Sequence, residues 1–216
     1  MALSLSSDPY PPLEARLCLT RGCLRLLSDA DLRIQIVTKS DLVRRDIDIL
    51  RGARSSVSLT VTTLKDDLAR RLEPGAPPPT RRIEAMEALS DAAIPVIARI
   101  DPIIPGINGD EIEDLVEAVA RAGASHVVSS TYKARGDNLL RVSSAFPSVM
   151  GAISPLFIER VGGSRYLPEK MRHAILGRVA SACRSHGITF SACREGVRSS
   201  VVCDGSHLIS ERAPHG

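Results

Sequence analysis

Apolar and polar positions follow two rhythms along the chain. Residues 33–38 (RIQIVT) and 56–61 (SVSLTV) are rich in β-branched side chains and read as strands. Segments 95–100, 126–131 and 188–192 read as further strands, and 2–7 is short and strand-compatible. Between them the period lengthens. Residues 13–27 have helical spacing through Leu13, Leu17, Leu24 and Leu27. Asp41 is placed to cap a short helix over 42–50. A helix over 66–72 stops before Pro74 and Gly75, and 76–79 form a rigid turn. Thr80 is expected to cap the next helix, whose apolar side is Ile83, Met86 and Leu89. An acidic-start helix over 109–122 ends at Gly123, and a long helix over 168–186 ends at Gly187. The rhythm breaks after residue 131, and the tail from Cys193 reads as loop.

Strand and helix in alternation imply right-handed βαβ units and a parallel sheet, either an open doubly wound sheet or a barrel. Strands of an open sheet, buried on both faces, are nearly all apolar. Here one parity is polar: Ser4, Ser6 and Asp8; Gln35 and Lys39; Ser58, Thr60 and Thr62; Arg99 and Asp101. Side chains two apart share a face. A common polar face fits the inside of a barrel, complete or partial, that holds a polar ligand. For the serines and threonines alone, satisfied core hydroxyls explain the pattern equally well. Burying unpaired charge costs several kcal/mol, so Arg99 and Asp101 imply a charge pair, a ligand site or both. Asp8, Lys39, Thr62 and Asp101 fall at the C-terminal ends of strands, where α/β barrels keep their chemistry.

Composition narrows the class. Of 216 residues 44% are hydrophobic and 25% charged, as in a soluble globular domain, which excludes a disordered or collagen-like chain. No apolar run approaches the roughly 18 residues of a membrane span. Residues 1–7 lack a basic leader and are too short for a secretion signal, so a cytoplasmic location is expected. The net charge of +3 does not by itself argue for nucleic acid. Only four of the 28 basic residues are Lys, the rest being Arg. That bias reads as codon or thermal adaptation, or as a phosphate-facing surface. Aromatics at 3%, without Trp, poorly supply a stacking platform for single strands. Five Cys, at 18, 23, 183, 193 and 203, read as free thiols or metal ligands and not as a disulfide framework.

Five segments carry a family resemblance: SSDPYPPLEARLCLTR (6–21), IVTKSDLVRRD (36–46), LEPGAPPPTRRIEAMEALSDAAIPV (72–96), RIDPIIPGIN (99–108), and CREG with CDGSHLI (193–209). In order and spacing they resemble the spore photoproduct lyase-like, or DNA repair photolyase-like, branch of the radical S-adenosylmethionine (SAM) superfamily, over about residues 2–209. The resemblance implies an α/β fold, a partial (β/α)6 TIM-like barrel with SAM across the strand ends. It implies that Lys39, with Ser40 beside it, partners the SAM carboxylate and that Thr60 contacts the same ligand. Ser7 and Asp8 would hold the methionyl amino group, and Asp101 and Pro102 would lie near the adenosine. The turn at Pro105 and Gly106 would let backbone approach the nucleoside. The implied cofactors are SAM and a [4Fe-4S] cluster that cleaves it to a 5′-deoxyadenosyl radical. The substrate is not specified, with nucleic acid among the classes implied, and the oligomeric state is left open.

The sequence departs from that pattern in two places. The CxxxCxxC loop that follows the family's first strand is absent, and Cys18 and Cys23, in CLTRGC, match it neither in spacing nor in place. The chain is therefore expected to lack the first βα unit, with residues 1–135 as the partial barrel and 136–216 as a helix-strand extension packed on it. A late-assigned start or fragment, a degenerate paralogue, or a separate chain supplying the unit would each account for this. Secondly, Leu5 stands where true spore photoproduct lyases place a hydrogen-donating Cys, so the family name does not assign the substrate. Cys193 and Cys203 are candidate hydrogen-atom donors or auxiliary ligands, set against buried thiols as the plainer explanation. With Cys183 and His207 they match no standard zinc spacing. His126, His173, His186 and His215 receive no role. Two further readings stand beside the radical enzyme: a cluster-less module that binds SAM or a nucleotide, and a Schiff base at Lys39 with Asp101 as acid/base.

Overall fold

The computed structural model describes residues 1–3, 7–196, 202 and 205–209. Its strands are β1 (Ala2–Leu3), β2 (Ile34–Thr38), β3 (Ser55–Thr60), β4 (Val96–Ile103), β5 (His126–Thr131), β6 (Glu159–Val161), β7 (Ser164–Tyr166) and β8 (Thr189–Ala192). Six of them form one parallel sheet in the order β1-β2-β3-β4-β5-β8, and β6 and β7 form a separate antiparallel hairpin. The order is linear, with β1 and β8 at the edges, so the molecule is a partial TIM-like α/β barrel. The helices are α1 (Glu14–Leu17), α2 (Leu19–Asp29), α3 (Ile47–Leu50), α4 (Asp66–Leu72), α5 (Pro79–Asp91), α6 (Ile112–Arg121), α7 (Gly136–Ala145), α8 (Pro147–Ile153) and α9 (Glu169–Ser185).

The main core lies between one face of the sheet and the helices. Ile34, Ile36, Val57, Leu59, Val96, Ala98, Ile100 and Val127 meet Leu24 of α2, Met86 and Leu89 of α5, Leu115 and Val119 of α6, and Val179 and Cys183 of α9. Each of the Val, Leu, Ile and Met side chains among them contributes roughly 1.5–3 kcal/mol on leaving water. A second cluster joins Ile104 and Tyr132, just past β4 and β5, to Phe146, Met150, Phe157 and Leu167. It seats α7, α8 and the β6–β7 hairpin beside the C-terminal strand ends.

Local chemistry moved several expected boundaries. The helix expected over 13–27 is broken at Cys18, whose φ of 52° is left-handed. Glu14 then caps the second piece, its carboxylate accepting from the backbone N–H groups of Thr20 (3.0 Å) and Arg21 (3.3 Å). Ser40, not Asp41, caps the turn after β2, accepting from the Leu42 N–H at 3.3 Å, while Asp41 pairs with Arg81. That turn opens as a 3-10 helix, Asp41–Asp46, before α3. Thr80 lies inside α5, which starts one residue earlier because the fixed φ of Pro79 suits a first helical position. No helix among the described residues is long and apolar enough to cross a membrane.

Candidate functional site

Parallel register decides which side chains share a face. Gln35 lies beside Ser56, Val37 beside Ser58, Thr60 beside Arg99, Ile97 beside His126, and Val128 beside Ser191. This face, turned away from the helices, is the polar one foreseen from the sequence. It is also buried: Gln35, Ser56, Ser58 and Thr60 are all less than one-tenth exposed. The side-chain polar atoms Gln35 Nε2, Ser56 Oγ, Ser58 Oγ, Thr62 Oγ1 and Arg99 Nε have no hydrogen-bond partner among the described residues. Leaving a buried polar atom without a partner costs about 1–3 kcal/mol, so five of them on one face call for polar partners beyond the described residues. Residues 205–209 close its lower end. A side-chain atom of Ile97 lies 2.6 Å from where a Cβ on Gly205 would sit, and the His207 ring stands edge-on to that of His126 with centroids 5.0 Å apart.

At the upper, C-terminal end the strands are tied to one another. The Asp8 carboxylate accepts from the Thr38 hydroxyl (2.7 Å), the Lys39 N–H (2.7 Å) and the Tyr10 N–H (2.9 Å). Those bonds fix the turn out of β2, so Asp8 is engaged by the chain's own donors. The Ser40 N–H donates to Thr38 Oγ1 at 2.9 Å. Lys39 projects its ammonium to within 3.5 Å of Glu73 Oε1, and Glu73 Oε2 pairs with Arg82 Nη1 at 2.6 Å. Arg82 is the largest fully buried side chain, and it also donates to the carbonyls of Thr60 (3.0 Å) and Pro77 (2.7 Å). Asn108 bridges the next loops. It donates to the carbonyls of Thr62 (2.8 Å) and Pro102 (3.0 Å) and accepts from the Ile104 N–H (2.7 Å). Glu111 accepts from the Thr63 hydroxyl at 2.9 Å and the Leu64 N–H at 3.1 Å.

Asp101 sits beside Arg99 (3.3 Å), and its other oxygen accepts from the Ser130 hydroxyl at 2.5 Å. This is the charge pair anticipated on the inner face. Asp101 is thus tied to Arg99, which lies on that face beside Thr60, while Lys39 follows the end of β2 in the turn. Pro102 follows as a half-buried cis proline, and Ser7 is exposed. Cys193, half-buried just past β8, donates its N–H to Ser129 and accepts from Lys133 Nζ at its carbonyl (3.3 Å). Cys203 and Leu5 lie outside the described residues.

A third charge cluster borders the same end. Glu195 is buried and pairs with Lys133 and Arg172, each at 3.1 Å, and accepts from the N–H and hydroxyl of Thr131. Arg172 also holds Glu159 at 2.8 Å. Burial works against its charge, yet the two carboxylates push its pKa above the ordinary value. The backbone N–H of Glu169 and then Arg172 hold the Glu159 carboxyl below its usual range. Neither Glu73 and Arg82, inside the segment 72–96, nor Asn108, Glu111, Glu195 and Arg172 announce themselves by spacing. An Arg in a helix's apolar stripe, as at Arg82, is the one local signal of a buried ion pair.

Among the described residues no group of three or more His, Cys, Asp and Glu side chains could hold a metal ion. Cys18 and Cys23 are exposed, and Cys183 is buried in the core, where desolvation pushes its thiol up to about 12. These residues do not fit an iron–sulfur cluster. The orphaned polar face suits a ligand that brings hydrogen-bonding groups of its own, and the partly exposed Lys39 ammonium suits an anionic one.

The family model described as Radical SAM superfamily matches residues 6–119. An uncharacterized protein of Mycobacterium tuberculosis is 27% identical over 190 residues, 83% of this chain and 55% of that protein. Spore photoproduct lyase complexed with dinucleoside spore photoproduct shares the fold at a TM-score of 0.68 and 13% identity, covering 89% of this chain and 60% of that one. SuiB of Streptococcus suis bound to S-adenosylmethionine does so at 0.56 and 13%, covering 88% and 39%. The chain thus spans about half the length of the curated relatives it matches.

Proposed function

The chain belongs to the radical SAM superfamily, and from that premise we propose that it forms the SAM-binding part of a radical enzyme. The observation that carries this reading is the buried inner face with unpartnered polar atoms on three neighbouring strands and in the loop that follows one of them. SAM supplies radical chemistry when an iron–sulfur cluster reduces it. In this reading the Lys39 ammonium takes the ligand's carboxylate, as a compact point charge suits. The Thr60 hydroxyl and the end of β4 at Asp101 and Pro102 meet the remainder of the ligand. Asp101 can accept from a ribose hydroxyl while Arg99 and Ser130 hold it in place. Ser40 and Asp8 shape the turn that presents Lys39, and Ser7 lies next to them. Cys193 is the described thiol nearest in sequence to the strand-end cluster of Glu195, which makes it the hydrogen-donor candidate. In this reading β1 to β5 contribute the ligand face, and α7, α8 and the β6–β7 hairpin flank it. Nucleic acid is the proposed substrate class, supported by the dinucleoside in the spore photoproduct lyase complex.

Calorimetric titration of this chain with SAM tests the reading. Saturable one-site heat is expected; a flat titration at millimolar ligand contradicts it. A cluster-less binding module is the second reading, favoured by the absence of metal-holding groups among the described residues. The genomic sequence in frame ahead of this chain's first codon separates the two. A CxxxCxxC motif encoded there would rule out the module, and an in-frame stop with no such motif before it would contradict the radical enzyme.

A further inference from the structure

Lys39 is 44% exposed, and its flexible stem does not by itself place the ammonium. Two groups from elsewhere do so. Asp8 holds the backbone end through the Lys39 N–H. Glu73, only 9% exposed, faces the ammonium with one oxygen and grips Arg82 with the other. Arg82 is in turn fastened to the carbonyl of Thr60 at the end of β3 and to Pro77 in the proline-rich turn. A single buried pair therefore joins the end of β2 to the end of β3, and both joined residues, Lys39 and Thr60, are assigned to the ligand.

We propose that Glu73, anchored by Arg82, is a positioning residue that aims Lys39 at the ligand's carboxylate. The pair spans the two strand ends, so the Lys39–Thr60 spacing is set before the ligand arrives, and less ordering is left for binding to do. Glu73 itself does not touch the ligand. Its influence passes through Lys39 and is felt only by ligands that carry a carboxylate. This inference rests on the proposed SAM site.

The test is calorimetry on the whole chain with two probes, SAM and 5′-methylthioadenosine, which keeps the nucleoside and lacks the amino acid. Half-exposed charge pairs couple by up to about 1 kcal/mol, so Glu73→Gln is expected to weaken SAM about fivefold. It should leave 5′-methylthioadenosine unchanged. In a Lys39→Met background, which leaves Arg82 and Glu73 untouched, adding Glu73→Gln should cost nothing further. Equal weakening of both probes, or a Glu73→Gln loss that persists without Lys39, overturns the proposal and makes Glu73 a fold residue only. A Glu73→Gln chain that does not fold overturns it in the same way, while Lys39→Met alone still reports on the carboxylate contact. Failure of the unaltered chain to bind SAM overturns the proposed function itself and this inference with it.

Discussion

Whether a charged side chain serves a ligand or the fold depends on how many of its own bonds are already made. Arg82 has three acceptors and no exposure to speak of. Lys39 has one distant carboxylate and an exposed tip, so its spare donors are within a ligand's reach, whereas Arg82 Nη2, also without a partner among the described residues, is buried. Lys39→Met is therefore expected to weaken SAM binding at least tenfold, the order of a lost charged hydrogen bond, with the melting temperature nearly unchanged. Calorimetry paired with thermal melts reads both. The thiols sort by the same logic. Cys183, buried and pushed up to about 12, stays protonated at neutral pH, whereas Cys18 and Cys23 are exposed. Brief iodoacetamide treatment followed by peptide mapping should label Cys18 and Cys23 and spare Cys183 until the chain is unfolded; prompt labelling of Cys183 would contradict its placement.

Elements form where local pattern and packing agree. β5 and α4 occupy the residues their sequence predicts, 126–131 and 66–72, because one is a compact β-branched run and the other is stopped by Pro74 and Gly75. α7, α8 and the β6–β7 hairpin were not legible. α7 has no fully buried residue, and the short strands are held by distant partners: Ala134 bridges Arg165, Arg172 pairs with Glu159, and Lys133 and Arg172 lie over the Tyr166 ring. α2 shows the opposite dependence, since Leu24 alone is fully buried in it. Leu24→Ala should cost about 2–4 kcal/mol in urea unfolding. At Gly205, where φ is +72° and a Cβ would lie 2.6 Å from Ile97, Gly205→Ala should cost about 1–3 kcal/mol. Wild-type stability in that variant would mean that 205–209 do not rest on the inner face.

At the scale of the whole molecule, the polar parity of the strands was readable because a parallel sheet keeps register partners on one face. The ion pairs that tie the strand ends were not, because Glu73 and Arg82, or Glu195 and Arg172, meet only once the chain has turned back on itself. Charge also sets the molecule's response to acid. Arg178 holds Glu113 below the ordinary value of 4.5, and Arg45 with backbone donors does the same for Glu14 against the effect of its burial. A carboxyl depressed in the folded state stabilises the fold fully above its unfolded value and ceases to do so as pH falls through its folded one. Melting temperature should therefore hold steady from pH 7 to about 5 and drop below 4.5. A rise on acidification would contradict these pairings.

The most direct measurement is a crystal structure of this chain grown with SAM. The ligand is expected across the ends of β2, β3 and β4, its carboxylate in hydrogen-bonding range of Lys39 Nζ and its ribose beside Asp101. Density for SAM against the helical layer, or an inner face filled only by ordered water at saturating ligand, would contradict the account.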